Sequence, residues 1–268
     1  MKPARMKAEI IVLGSGTSMG VPTLGCQCAV CTSADPRNRR TRPSIAVSWG
    51  NGSAAHLVVI DTGPDFREQA LREGIRHVDA VFYTHAHADH ILGLDDLRPL
   101  SFKHKPQRLP LYADAQTAEI LRRIYDYTFS ANSTYPNKAR VELRGLDGDE
   151  AANIDGARFQ RVPLLHGDLE VAGFRFGSAA YLTDMSAIPE SSLPVLEGLD
   201  VMIIDALRPQ PHPSHANIAD ALHWVERVHP RQAWFTHMSH EVDHEKTERS
   251  FPPGVRLSFD GLRIPFEL

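Results

Sequence analysis

Thr84-His85-Ala86-His87-Ala88-Asp89-His90 is the stretch on which the reading of this 268-residue chain turns. It follows Asp79-Ala80-Val81-Phe82-Tyr83, a run that reads as a short strand. Four side chains able to bind a metal fall within six positions. Alternation along extended backbone sends His85, His87 and Asp89 to one side. A turn at Asp89-His90 then lets His90 reach a second centre. Such a density of imidazole and carboxylate does not suit a packed core, which apolar side chains fill at lower cost.

Working outward, further candidates stand at the ends of later strands. His166 follows the run 158–165, Asp184 follows 179–182 and His237 follows 232–235. With the first cluster they make five histidines and two aspartates, enough for two metal ions. Imidazole and carboxylate ligands fit Zn²⁺ or Mn²⁺. A separate claw, Cys26-Gln27-Cys28-Ala29-Val30-Cys31, offers three thiolates. Structural zinc takes four closed ligands, so the fourth must come from elsewhere in the chain. His240, in Thr236-His237-Met238-Ser239-His240, is the candidate.

Strands are expected at 8–13, 44–48, 56–60, 109–112, 158–165, 170–176, 179–182, 200–204, 232–235, 255–257 and 262–266. Helices are expected at 64–73, from Asp114 to about Tyr125, and after Ser214 as cap, where Ile218, Leu222 and Val225 recur at helical spacing. Strands in both halves with helices between them imply two sheets covered by helices, in a single domain over 1–268.

Composition bounds the rest. Hydrophobic residues at 42% and charged residues at 23% describe a globular chain, and the net charge of -4 argues against gripping nucleic acid by bulk charge. Apolar runs stop after four residues, far short of the roughly 20 that cross a membrane. The start, MKPARMKAEI, has no apolar region behind its basic residues, so no secretory signal is read. Three clustered cysteines suit metal chemistry in a reducing, cytoplasmic compartment.

The set His85, His87, Asp89, His90, His166, Asp184 and His237 resembles the metallo-β-lactamase-fold hydrolases, and Asp61 resembles that superfamily's early aspartate. The resemblance implies an αββα four-layer sandwich of the α/β class, with the metal site at the rim between the two sheets. It implies that His85, His87 and His166 hold one divalent cation, that Asp89, His90 and His237 hold the other, and that Asp184 bridges them. Asp61 would orient a histidine. A C-x-C-x₂-C loop with a late T-H-x-S-H resembles the branch containing the phosphoribosyl cyclic phosphate phosphodiesterases. There Cys26, Cys28, Cys31 and His240 would form a structural zinc site. His215, near the start of a late helix, would contact the phosphate and protonate the leaving oxygen. Asp205 matches an acidic position of the same branch. Asp89 and His215 are the residues expected to take part in catalysis.

The expected function is therefore a binuclear phosphodiesterase acting on a small substrate, such as a phosphoribosyl 1,2-cyclic phosphate or a nucleotide. Two cations would activate water at neutral pH and polarise the group it attacks. The expected partner is a small phosphorylated molecule, with a homodimer as a further option and neither membrane nor nucleic acid. Two alternatives stand beside it. One is an RNA-processing endonuclease similar to ribonuclease Z, against which stand the net charge and the lack of a glycine-proline arm. The other is a cofactor-biosynthesis protein similar to the pyrroloquinoline quinone accessory proteins, which usually lack the full histidine cluster. Three weaker features carry substrate-contact readings: Gly14-Ser15-Gly16-Thr17-Ser18, the arginines at 37–42, and the polar loop 130–138 with its flanking aromatics.

Overall fold

Two seven-stranded sheets lie face to face, with helices on their outer surfaces, in a computed structural model that describes residues 6–52, 55–148 and 150–268. The start of the chain, on which the reading of a leader rests, falls partly outside these residues. In chain order the first sheet takes β1 (Lys7–Gly14), β2 (Ser44–Trp49), β3 (His56–Ile60), β4 (Ala80–Phe82), β5 (Leu109–Ala113) and β6 (Val141–Gly145). The second takes β7 (Ala151–Ile154), β8 (Ala157–His166), β9 (Leu169–Phe176), β10 (Ala179–Leu182), β11 (Val201–Asp205), β12 (Gln232–Thr236) and β13 (Val255–Leu257). The last strand, β14 (Arg263–Glu267), returns to the first sheet and pairs with β1.

Helices α1 (Phe66–Arg72), α2 (Ala88–Ile91), α3 (Arg98–Ser101), α4 (Ala115–Ile124) and α5 (Asp126–Phe129) belong to the first half, α6 (Ile218–Val228) and α7 (His244–Glu248) to the second. Three apolar layers hold the four structural layers together. Val58, Ile60 and Phe82 meet Phe159, Phe174 and Tyr181 between the sheets. Val59 and Val81 point the other way, toward Phe66 and Leu121. Val162 and Ile204 pack with Ala221 and Leu222. Strands of this kind are buried on both faces, which is why 56–60 reads as an unbroken apolar run. The α/β four-layer sandwich implied by the histidine pattern is the architecture observed.

The sheets' inner strands position the site. β3, β4, β5 and β6 run parallel, as do β10, β11, β12 and β13. In parallel sheets the carboxyl ends of the strands open onto a crevice where ligands bind. Here those ends deliver Asp61, the stretch 84–90 and Asp114 from one sheet, and Asp184, Asp205 and His237 from the other. The Ala172 N–H donates to the Thr84 carbonyl at 2.9 Å and ties the two sheets at this rim.

Three local expectations are corrected. Ser214 does not cap the late helix; Asn217 does, in a reciprocal box with Asp220, so His215 lies in the preceding loop. The Ser214 carbonyl is instead spent on His166. Strands β6 and β7 went unread because their exposed positions and alanines carry little strand signal. His166 is the last residue of β8 and not the residue after it.

Candidate active site and metal centres

The rim collects seven side chains, mostly buried. Ligand atoms of His85, His87 and His166 lie within 4.8 Å of one another, and so do those of Asp89, His90, Asp184 and His237. Asp184 also falls within that distance of His166 and His215, so it stands between the two groups. Every residue expected at a paired metal site is thus brought into one crevice.

The backbone is bent to achieve this. Asp61, Asp184 and His237 have φ of 66°, 52° and 60°, the left-handed region that non-glycine residues rarely enter. Each sits just past a parallel strand. Reversing the backbone hand there turns the side chain into the crevice, at a strain of about 1–3 kcal/mol apiece. Below α2 there is no spare space. A Cβ on Gly63 would lie 1.9 Å from the Asp89 carbonyl oxygen, and one on Gly93 would lie 2.1 Å from that of Gly63. Neither glycine is legible as a site residue in the sequence, because the close approach comes from residues distant in the chain.

Hydrogen bonds fix the rings. Asp61, fully buried, accepts from the Thr84 N–H and hydroxyl at 2.8 Å each and from His90 Nδ1–H at 2.7 Å. It therefore orients His90, the supporting role expected of it. The Ser214 carbonyl accepts from His166 Nδ1–H at 2.7 Å, and Asp205 Oδ2 accepts from His215 Nδ1–H at 2.7 Å. In both rings Nε2 is left as the free nitrogen. The His215 ring stacks on His237 at 4.7 Å and packs edge-on to His166 at 4.5 Å.

What remains unpaired points to a cation. His90 Nε2 and both ring nitrogens of His237 are buried without hydrogen bonds. Yet His90 Nε2 stands 3.2 Å from Asp184 Oδ2 and 3.3 Å from Asp89 Oδ2, and His237 Nε2 stands 3.2 Å from Asp184 Oδ1. Ligands around an ion bound at about 2.1 Å are spaced at about 3.4 Å in a tetrahedron, so the donor set fits a metal. Electrostatics agree. Burial disfavours charge on His90 and His237, but Asp184 foremost holds both above the usual imidazole range, His237 at about 10. The carboxylates demand positive charge at this spot, from protons or from a metal. In the other group burial depresses His85 well below its ordinary value and His166 to about 4, which keeps them as neutral ligands.

A second donor set lies at the turn after His237. Cys26, Cys28 and Cys31 approach His240 with Sγ to Nδ1 distances of 3.1, 3.5 and 3.6 Å. Sulfur and nitrogen around one zinc, at about 2.3 and 2.0 Å, are spaced at about 3.5 Å. The Cys31 N–H draws the Cys28 thiol down to about 6, whereas burial pushes Cys31 up to about 11. His240 thus stands where a fourth donor to the claw would, with Nδ1 toward the three sulfurs.

A cavity of about 190 Å³ opens beside the rim, lined by His85, His87, Asp114, Gln116, Ile120 and Glu170 among others. Gln116 and Glu170 were not anticipated, since nothing in the sequence joins them to the histidines. The weaker substrate-contact readings fare differently. Arg37 pairs with Asp35 and Arg42 with Asp65. Arg40 is fully buried and donates to the Ser239 and Val242 carbonyls, so it braces the turn that carries His240. The N–H groups of Ser15, Gly16 and Thr17 are taken by Asp260, Thr41 and Met238. No residue of 130–138 lines the 190 Å³ cavity, and Tyr125, Tyr127 and Tyr135 pack on one another.

Comparison with known proteins agrees with this geometry. Residues 56–238 match the family model described as beta-lactamase superfamily domain. A crystal structure of a diphosphatase from the PhnP family is 50% identical, superposes with a TM-score of 0.90, and covers 98% of this chain and 99% of its own. The chain belongs to the PhnP family of metallo-β-lactamase-fold hydrolases. Among curated relatives, an octanoyltransferase of Porphyromonas gingivalis is 35% identical over 254 residues. The match takes in 94% of this chain but only 50% of that protein, so the chain spans half the length of that relative. Coenzyme PQQ synthesis protein B of Methylorubrum extorquens is 33% identical over 224 residues, 74% of this chain and 72% of its own. No helix among the described residues is long and apolar enough to cross a membrane.

Proposed function

We propose that this chain hydrolyses a small phosphate ester, a phosphodiester such as a cyclic ribose phosphate or a nucleotide, at the histidine–aspartate rim. One observation carries the reading: two donor clusters stand on either side of Asp184, which groups with Asp89, His90 and His237 and also with His166, beside a cavity and a His215–Asp205 pair. His85, His87 and His166 would hold one divalent cation, Asp89, His90 and His237 the other, with Asp184 between them. Zn²⁺ and Mn²⁺ both suit this donor set. Bound there, divalent cations lower the pKa of water and polarise phosphoryl oxygens.

The remaining work falls to the chain's own residues. Asp61 and Thr84 hold His90 in place. Asp205 accepts from His215 Nδ1–H and so turns Nε2 outward, the nitrogen that would contact a phosphate oxygen and, carrying a proton, deliver it to the leaving oxygen. The cavity is smaller than the roughly 300–1,000 Å³ of sites for drug-sized ligands, which supports a compact substrate over an RNA. The cysteine claw would hold a structural zinc that pins the N-terminal loop beside the rim.

Element analysis of freshly purified protein, followed by turnover of cyclic phosphates, linear phosphodiesters, diphosphates and a tRNA precursor, tests the reading. The expected result is divalent metal at the rim, zinc at the claw, and turnover of a small phosphodiester that is lost in His85→Ala and Asp184→Ala. Full activity in either variant overturns it. The kinship with Coenzyme PQQ synthesis protein B favours a second reading, an accessory role in cofactor synthesis. Metal-loaded protein inert toward every phosphate ester would select it.

A further inference from the structure

At the opposite end of the first sheet from the rim is a second cavity, of about 420 Å³, lined by Phe102, Lys105, Arg108, Asn137, Lys138 and Arg140 together with Ala139. It lies where β5 and β6 begin, since Arg108 and Arg140 immediately precede those strands. β5 runs from this cavity to Ala113 and Asp114 at the rim, about 16 Å away at roughly 3.3 Å per residue.

Four cations line the cavity and no carboxylate does. Among the described residues none of the four lies within ion-pair distance of an acid, unlike Arg144 beside Glu142, Arg227 beside Glu190 and Arg263 beside Glu9. Lys138 Nζ reaches only the Ser130 carbonyl, and Arg140 reaches the Pro106 carbonyl through one nitrogen while its Nε is buried without a partner. Grouping like charges without counterions is unfavourable, and in a chain of net charge -4 it is not a consequence of general basicity. Bidentate guanidinium groups beside ammonium groups are the arrangement that binds phosphate. The remaining wall is the exposed ring of Phe102, a surface on which a flat ring stacks.

We propose that this cavity is a second binding site, separate from the hydrolytic rim, for a nucleoside diphosphate. The phosphates would lie across Lys105, Arg108, Lys138 and Arg140, and the base against Phe102. The concave shape favours a small molecule over a strand, since 420 Å³ falls within the range of small-ligand sites. The proposal is independent of what the rim hydrolyses.

Calorimetric titration of ADP into the metal-loaded protein tests it, in the wild type, in Lys105→Glu/Arg108→Glu and in His85→Ala. Saturable binding is expected in the wild type and in His85→Ala, with Kd raised about 100-fold in the double variant while rim turnover is kept. If the double variant melts early, Lys105→Ala and Arg108→Ala are each expected to weaken ADP by about tenfold. Absence of saturable binding overturns the proposal, as does binding lost in His85→Ala but retained in the double variant. Inorganic phosphate binding as tightly as ADP would reject the nucleoside part. A single-stranded oligonucleotide displacing ADP with higher affinity would replace the small ligand by nucleic acid.

Discussion

The two donor sets of this protein are built in opposite ways. The rim site stands on the ends of parallel strands from both sheets, with Asp61, His90, Asp184 and His237 almost wholly buried. Its orphaned nitrogens and left-handed residues sit at strand ends packed by the apolar layer between the two sheets. The claw stands on a loop with little core of its own, a small cluster around Val21, Val30 and Cys31, and reaches the fold through His240 and the buried Arg40. In the first case the fold holds the site. In the second the site holds a piece of the fold. Losing the rim donors should therefore cost chemistry, and losing the claw should cost stability.

The largest effect expected is at the rim. Asp184→Ala should lower kcat by about 10³-fold or more while the melting temperature stays within a few degrees, measured on metal-reconstituted protein. Asp61→Asn, which leaves the donors in place but loosens His90, should weaken metal binding by about 10–100-fold. A large melting change with little loss of turnover in either variant would dissolve the contrast. Next comes the claw. Cys28→Ser should release zinc and lower the melting temperature by about 5–10 °C, corresponding to a loss of about 2–3 kcal/mol. Full metal content with unchanged melting would remove the claw's structural role.

Gly63→Ala tests whether the rim depends on close packing beneath α2. The added methyl meets the Asp89 carbonyl, so stability should fall by about 1–3 kcal/mol in denaturant titration, together with activity. The smallest effect sharpens the claw side. His244 is buried on the segment just beyond His240, its N–H donating to Asn38, and burial, with Arg37 adding to it, lowers its pKa to about 4. A histidine whose folded pKa lies below its unfolded value of about 6.5 contributes stability that is fully present above that value and is lost as pH falls toward 4. Stability should drop by about 1–2 kcal/mol between pH 7 and pH 5 from this group, and His244→Gln should flatten that part of the profile. An unchanged slope would show that His244 does not carry it.

Most of the rim could be read in the chain because its donors are unlike anything a core needs. His85, His87, Asp89 and His90 are crowded into one stretch, and His166, Asp184 and His237 each stand at a strand end. The late helix was read one turn early, because Ser214 and Asn217 are both good caps and only the pairing with Asp220 separates them. Arg40 looked like one of several arginines able to contact a substrate, since burial of a guanidinium depends on carbonyls 199 and 202 residues away.

By itself, then, the sequence determined the two helix-covered sheets, the candidate donors and the thiol motif, because periodicity and residue chemistry are local properties, and the donor pattern resembled a known four-layer fold. Tertiary structure alone decided which histidine Asp61 serves, that the Ser214 carbonyl and Asp205 orient His166 and His215, that Gln116 and Glu170 line the cavity, and that Gly63 makes room for the Asp89 carbonyl and Gly93 for that of Gly63. Those depend on where strand ends from two sheets meet, and on distances between backbones that no local pattern encodes. The same holds for the four unpaired cations at the far end of the first sheet. Lys105, Arg108, Lys138 and Arg140 are scattered over two loops in the sequence, and only the parallel pairing of β5 with β6 brings them around one cavity.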